Sequence, residues 1–353
     1  MNSFNNHCRR FQKRLKALKV SAYWFTHGPD LFYLSGYAAE GCFALVGPRR
    51  ALMLVPGLAL EQASSIAGHF KVMSVKKASE AFDKITELAL QNQWTSIGYD
   101  PFHVPEASIN AARKSSGRRL RWVAVPSATA SLRIKKDPEE MKSLRKAGHL
   151  AAQGFSHIRK LARPGMRECD LAAEFERYIR QHGAVKASFD SIVAAGENAA
   201  YPHYITGERI LRKNDMVLCD IGCLVEGYCS DLTRTFFLGK ISPLGQKIYD
   251  TVARAQRSAI QAVKPGVKTA QIDRIARDEI ERAGYGRRFI HSTGHGVGVE
   301  IHEAPWVTAS SADVLEPGMI ITVEPGIYLE GWGGVRIEDT LRVTSKGYEI
   351  LTR

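Results

Sequence analysis

The chain has 353 residues, 44% of them hydrophobic and 24% charged, which is ordinary globular usage and excludes a disordered or fibrous protein. That length exceeds one ordinary core, so two domains are expected. The formal net charge is +13, and 17 Lys and Arg stand against 8 Asp and Glu in the first 130 residues. The densest basic patch is Arg113, Lys114, Arg118, Arg119 and Arg121. No nucleic-acid-binding motif accompanies it, so the patch reads as a solvated face rather than a nucleic-acid surface.

From the N-terminus, Arg9, Arg10, Lys13, Arg14, Lys16 and Lys19 precede the apolar run Val20 to Phe25, which His27-Gly28-Pro29-Asp30 breaks. The run is too short for a signal-peptide core, and no later window approaches the roughly 18 to 20 apolar residues of a spanning helix. A cytoplasmic protein is expected. Phe43 to Val46 and Ala51 to Val55 read as strands, and Ser79 to Gln91 as a helix capped by Ser79. The first domain is therefore mixed α/β. Beyond the small-residue stretch Ser127 to Ser131, Asp137-Pro138-Glu139-Glu140 combines an Asp cap, Pro at the first helical position and two first-turn acids, which together start a helix. The boundary falls at about residue 130, giving domains 1–130 and 131–353.

An internal repeat organises the second domain. Pro164-Gly165-Met166-Arg167 matches Pro265-Gly266-Val267-Lys268 at an offset of 101 residues, and without gaps Leu171 then matches Ile272, Ile179 matches Ile280, and Gly183 matches Gly284. A helix precedes each Pro-Gly turn; in the second half Ile248, Val252, Ala255, Ala259 and Val263 form its apolar stripe. Each half closes on a hairpin pattern. In the first, Met216 to Asp220 and Ser230 to Phe236 flank Glu226-Gly227. In the second, Met319 to Glu324 and Val335 to Asp339 flank Gly331-Trp332-Gly333-Gly334.

These hairpins carry Asp220 and Asp231, then Glu324 and Glu338, at related positions. Carboxylates at the inner ends of buried strands are costly unless neutralised. If the hairpins face each other, four acids converge, and a pair of divalent metals is the natural neutraliser. A nitrogen ligand is available in His291-Ser292-Thr293-Gly294-His295-Gly296-Val297-Gly298-Val299-Glu300-Ile301-His302, where spacing alone leaves His291, His295 and His302 as candidates. The alternate glycines oppose a helix and predict extended backbone closely approached by another segment. Cys219, Cys223 and Cys229 cluster nearby, but Cys219 adjoins Asp220 on a predicted strand and points to the opposite face. The six cysteines read as reduced, buried thiols.

The stretches DIGCLVEGYCSDLTRTF, HSTGHGVGVEIHEAP, TVEPGIY and GVRIEDT resemble the pita-bread metallopeptidases, in particular the Xaa-Pro aminopeptidases and prolidases. The resemblance covers roughly residues 136–353. Gly28-Pro29-Asp30-Leu31-Phe32-Tyr33-Leu34-Ser35-Gly36 resembles the creatinase-type N-terminal domain of the same enzymes, which commonly carry Asn where Asp30 stands. The resemblance implies an α/β (α+β) fold with a pseudo-twofold catalytic domain, and Asp220, Asp231, His295, Glu324 and Glu338 as ligands of two divalent ions. Mn2+ suits this oxygen-rich set best, with Co2+, Fe2+ or Zn2+ as alternatives.

It further implies catalytic or substrate-side roles for His203, His302 and Glu324, a supporting role for His291 behind the ligands, and a place at the edge of the site for Arg336. His203 and His302 lie 99 residues apart, close to the repeat offset. The implied protein is a homodimeric metallopeptidase that cleaves small peptides before a proline, either as an aminopeptidase or as a dipeptidase. Two rivals share the architecture: a metal-free amidinohydrolase of the creatinase kind, and a non-catalytic binding module. Retention of all five ligands disfavours both.

Overall fold

The computed structural model describes residues 3–353, apart from the side chains of Ala78 and Ser79. The chain divides into two compact units, Met1–Arg133 and Ile134–Arg353. In the first unit, strand-forming runs build a six-stranded sheet. Its spatial order is Lys71–Val75, Ala51–Pro56, Phe43–Val46, Ala22–Phe25, Ser96–Tyr99, Arg121–Ala124. Neighbouring strand residues point to opposite faces, and the central strand shows the result. Tyr23 packs with Phe11 and Leu31 in one cluster, whereas Trp24 packs with Ile85 and Leu88 in another. Both faces are therefore covered, as expected of a sheet rich in parallel pairs.

The helix expected from Ser79 runs Ala78–Gln91 with Lys77 at the cap position, and the Ser79 side chain lies outside the described residues. Asp30 is buried in the helix Gly28–Ser35. It pairs with Arg133 Nη1 at 3.0 Å and accepts a hydrogen bond from Thr129. Burial opposes its charge, but the His27 hydrogen bond and the Arg133 charge win and hold its carboxyl below the usual range. The basic patch from Arg113 to Arg121 is exposed at all five positions.

In the second unit the helix Pro138–Leu161 begins as expected: Asp137 accepts from the backbone N–H groups of Glu139 and Glu140, and Glu140 closes a capping box. The repeat extends to individual backbone bonds. Gly165 N donates to Leu211 O at 2.9 Å, and its counterpart Gly266 N donates to Leu315 O at 2.8 Å. Gly165 and Gly266 both require positive φ, 95° and 84°. The matched pairs Leu171 and Ile272, and Ile179 and Ile280, are fully buried in the two half-cores, each contributing about 1.5–3 kcal/mol. Ile248, Val252, Ala255, Ala259 and Val263 are buried as one stripe.

Both hairpins are longer and more broken than the sequence suggests. In the first, Met216–Ile221 pairs with Leu232–Phe237, and beyond an interruption Cys223–Val225 pairs with Tyr228–Cys229. The turn residues Glu226 and Gly227 both have positive φ, as a two-residue hairpin turn demands. The second departs from expectation. Ile320–Val323 pairs not with Val335 to Asp339 but with Asp339–Val343, while Gly333–Arg336 pairs with Gly326–Leu329. The expected strand Val335 to Asp339 is thus cut at Ile337–Glu338, because its two ends serve different partners.

Candidate metal centre

Three of the four acids sit at the interruptions of the two hairpins. Asp231 lies just before Leu232–Phe237, Glu324 just after Ile320–Val323, and Glu338 between Gly333–Arg336 and Asp339–Val343. Asp220 is on a strand, opposite Thr233, two residues before the Gly222 interruption. A side chain at Gly222 would collide with the Ser230 carbonyl, so only glycine fits there. Where a ladder stops, a side chain is freed to turn inward. The two hairpins are bonded together at these points: Glu338 N donates to Thr233 O at 3.0 Å, and Thr340 Oγ1 donates to Asp231 O at 2.8 Å.

His295 occupies the short buried strand Gly294–Gly296, not a helix. Side chains at Gly294 and Gly296 would strike the backbone of Thr322 and of Ala304, which is the close approach the glycine pattern predicts. His295 Nε2 lies 3.5 Å from Asp231 Oδ2 and 3.4 Å from Glu324 Oε1. Its Nδ1 is 3.0 Å from the Gly296 carbonyl; donation there leaves the Nε2 lone pair facing the acids. Ligand atoms of Asp231, His295 and Glu338 all lie within 4.8 Å of one another.

His203, Asp220, Asp231, His291, His295, His302, Glu324, Arg336 and Glu338 all line one cavity of about 530 Å³. His203 and His302 are exposed on its wall, and the His302 ring meets that of His295 edge-on at 4.4 Å. Arg336 Nη2 donates to Asp220 Oδ2 at 2.5 Å, and its Nη1 donates to Tyr328 OH at 2.7 Å. Tyr328 OH in turn lies 2.9 Å from His291 Nε2. His291 therefore touches the cluster only through tyrosine and arginine. Burial, then the Arg336 charge, pushes its pKa down to about 3, so it is neutral and its Nε2 accepts a hydrogen bond from the Tyr328 hydroxyl.

Two family profiles match the sequence: "Creatinase/Prolidase N-terminal domain" over residues 8–135 and "Metallopeptidase family M24" over residues 142–345. The chain belongs to metallopeptidase family M24. An uncharacterized peptidase of Bacillus subtilis (strain 168) is 33% identical over 340 residues, 95% of this chain and 94% of its own. Among solved structures, the Xaa-Pro dipeptidase from Bacillus anthracis is 33% identical with a TM-score of 0.95, covering 99% of this chain and 98% of that one. The X-Pro aminopeptidase from Thermotoga maritima MSB8 is 29% identical with a TM-score of 0.89, covering 96% and 97%. The M24 peptidase thus joins a creatinase-type N-terminal domain to a pita-bread catalytic domain, the fold that its motifs implied.

A family of metallopeptidases implies a divalent metal, and the residues of this M24 peptidase fit one. Burial first, then mutual repulsion, pushes the carboxyls of Asp231 and Glu338 well above their usual range. Burial, only partly offset by Arg336, takes Glu324 up to about 8. Asp220 Oδ1 and Glu338 Oε1 are buried without a hydrogen-bond partner. Such atoms are costly as they stand and well used as ligands. The thiols offer no alternative set: Cys219, Cys223 and Cys229 are buried, Cys219 within the first half-core, and burial pushes Cys223 up to about 11 and Cys229 up to about 12.

Several residues that shape the M24 site escaped the sequence reading. Asp273, wholly buried on the helix Thr269–Arg282, accepts from the Thr293 backbone and hydroxyl at 3.1 and 2.8 Å and pairs with Arg277. Thr293 O receives Glu324 N at 2.8 Å. In the other half Glu168, also wholly buried, accepts from Ala195 N, Asn198 Nδ2 and Tyr204 OH, which bracket His203 in sequence. Thr233 Oγ1 donates to Glu338 Oε2 at 2.6 Å and Thr322 Oγ1 to Glu324 Oε1 at 3.1 Å. For Tyr328 a signal existed, since a Tyr hydroxyl buried beside a charged cluster needs a partner.

Proposed function

We propose that this metallopeptidase hydrolyses the peptide bond between an N-terminal residue and a following proline, using two divalent cations, Mn2+ by preference. The observation that carries the proposal is the meeting of four carboxylates and one imidazole in a single cavity, two of the carboxylate oxygens lacking any other partner. The preference for proline is supported by the names of the Bacillus anthracis and Thermotoga maritima neighbours. Asp220, Asp231, His295, Glu324 and Glu338 hold the metals. Oxygen-rich ligation with one nitrogen favours Mn2+ over a structural zinc cage.

Bound there, divalent cations acidify water and polarise a carbonyl. The protein's own groups do the rest. Glu324 takes the proton of the attacking water and passes it toward the leaving proline nitrogen. His302 donates a hydrogen bond to the oxygen on which charge develops, and His203 orients the peptide. Arg336 holds Asp220 by one oxygen and leaves Oδ1 to the metal, and His291 with Tyr328 keeps the Arg336 fork in place.

A cytoplasmic homodimer belongs to the same proposal. No helix among the described residues is long and apolar enough to cross a membrane, and light scattering on the purified protein checks the mass. The test of function is metal analysis joined to an assay on Xaa-Pro peptides with added Mn2+. Bound metal with proline-directed cleavage is the expected result. A protein that binds no metal and leaves every peptide intact would restore the creatinase-like or non-catalytic readings; metal-dependent cleavage that ignores proline would overturn the specificity alone.

A further inference from the structure

The charges on the cavity wall bear on the length of the substrate. Among the described residues lining the cavity, Arg336 is the only Lys or Arg. It is fully engaged: Nη2 on Asp220, Nη1 on Tyr328 OH and Pro202 O, and Nε on Thr233 Oγ1. Five carboxylates line the same cavity. Four are the proposed ligands, whose charges two divalent cations cancel. The fifth, Asp190, is exposed just before the strand Ile192–Ala195, and no described cation pairs with it. Of the remaining wall, Phe189, Ile192, Pro202, Ile301 and Trp306 are apolar, and Ser292 and four histidines without a fixed positive charge make up the rest. Trp306 is 47% exposed, and its ring lies 6.4 Å from that of His295.

A free Xaa-Pro dipeptide carries a carboxylate on the residue next to the scissile bond, so binding brings that charge into the cavity. A desolvated carboxylate without a cation is strongly disfavoured, and a like charge nearby adds repulsion. One further residue replaces the carboxylate by a neutral amide and moves the charge outward by roughly 3.5 Å. The half-exposed indole of Trp306 offers that residue an apolar face.

We infer that this site prefers peptides of three or more residues to free dipeptides, with Asp190 rejecting the dipeptide carboxylate and Trp306 receiving the residue after proline. The inference rests on the proline-directed reading above, and it runs against what the name of the Bacillus anthracis neighbour alone would suggest.

The test compares kcat/KM of the Mn2+-saturated protein on Ala-Pro, on its carboxyl amide and on Ala-Pro-Ala. The amide differs from the dipeptide only in charge. Amide and tripeptide should exceed the free dipeptide by about tenfold or more. Asp190→Asn should lower the amide-to-acid ratio several-fold, and Asp190→Lys should lower it further. Trp306→Ala should lower the preference for Phe over Gly as third residue. Equal rates on the free dipeptide and its amide overturn the inference while leaving proline-directed cleavage intact. An unchanged ratio in both Asp190 variants removes Asp190 from it. Cleavage of none of the three peptides defeats the proline-directed reading itself, and this inference falls with it.

Discussion

The two halves of the catalytic unit share one scaffold and use it unequally. Each offers a helix pair, a Pro-Gly turn at positive φ and an interrupted hairpin with two acids. The first half contributes the short acids Asp220 and Asp231, and its histidine, His203, stands exposed on the cavity wall. The second contributes the longer Glu324 and Glu338 together with the buried His295. Each half also steadies the other: Arg336 of the second holds Asp220 of the first, while Thr233 of the first holds Glu338 of the second. A repeated fold can supply a metal centre symmetrically and reserve the differences for chemistry. On this view the second half carries the proton transfer and the first places the substrate.

The sharpest way to break that division is to neutralise equivalent acids. On the proposed roles, Glu324→Gln removes a ligand and the proton carrier together, so kcat at saturating Mn2+ should fall by about 10³ or more, with circular dichroism unchanged. Asp220→Asn would remove a proposed ligand only, and excess Mn2+ should recover a larger share of its activity. Equal, unrescued losses in both would dissolve the asymmetry, and normal turnover in Glu324→Gln would remove the proton-carrier role.

The acids that the halves share predict a pH effect in metal-free protein. Asp231, Glu324 and Glu338 have raised folded pKa values, Glu324 reaching about 8. The folded protein thus keeps protons that the unfolded chain releases above about pH 4.5. Their stabilising contribution is fully present below the unfolded carboxyl range and is lost as pH rises through the raised folded values, about 8 in the case of Glu324. Chelated protein should therefore show a falling Tm across this window. Added Mn2+ should raise Tm most at the alkaline end, because it takes the place of those protons. A Tm of the chelated protein that rises with pH across the window would contradict the cause assigned to these shifts.

The buried anchors sharpen the comparison further. Asp273 holds Thr293, and through it the His295 strand and Glu324, whereas Glu168 holds the segment that bears His203. Asp273→Asn should weaken Mn2+ binding by about 10–100-fold. Glu168→Gln should instead raise KM and leave calorimetric Mn2+ affinity close to that of the native protein. Loss of metal affinity in both variants would mean that the halves are not separable.

The sequence made the chemistry more legible than the strand pairing. Four acids in related patterns and a glycine-framed histidine segment are local signals, and the structure brings all of them to one cavity. The pairing of Ile320–Val323 with Asp339–Val343 is not local. Val335-Arg336-Ile337-Glu338 alternates as a strand should, and nothing within it marks the change of partner; only Pro325, which cannot donate to a ladder, hinted at an interruption. Asp273 and Glu168 were hidden for another reason. An acid in the first turns of an amphipathic helix reads as solvated, and its burial becomes visible only once the opposing segment is in place.

Tyr328 tests the finest contact between the halves. Its hydroxyl lies between Arg336 of the Asp220 pair and His291, and it is a buried phenol whose pKa burial pushes up to about 12. It therefore stays protonated at working pH and can donate to the neutral His291 while accepting from Arg336. Tyr328→Phe keeps the ring and the packing but strands an Arg336 N–H and the His291 Nε2, at about 1–3 kcal/mol of stability. Arg336 would retain Asp220, Thr233 and Pro202 as acceptors. Activity should accordingly fall only a few-fold, mainly through kcat, with Mn2+ affinity little altered. If Tyr328→Phe instead lost metal as severely as Asp273→Asn, the arginine would have to be held chiefly by the phenol, and the bond between the halves would be weaker than its 2.5 Å contact with Asp220 implies.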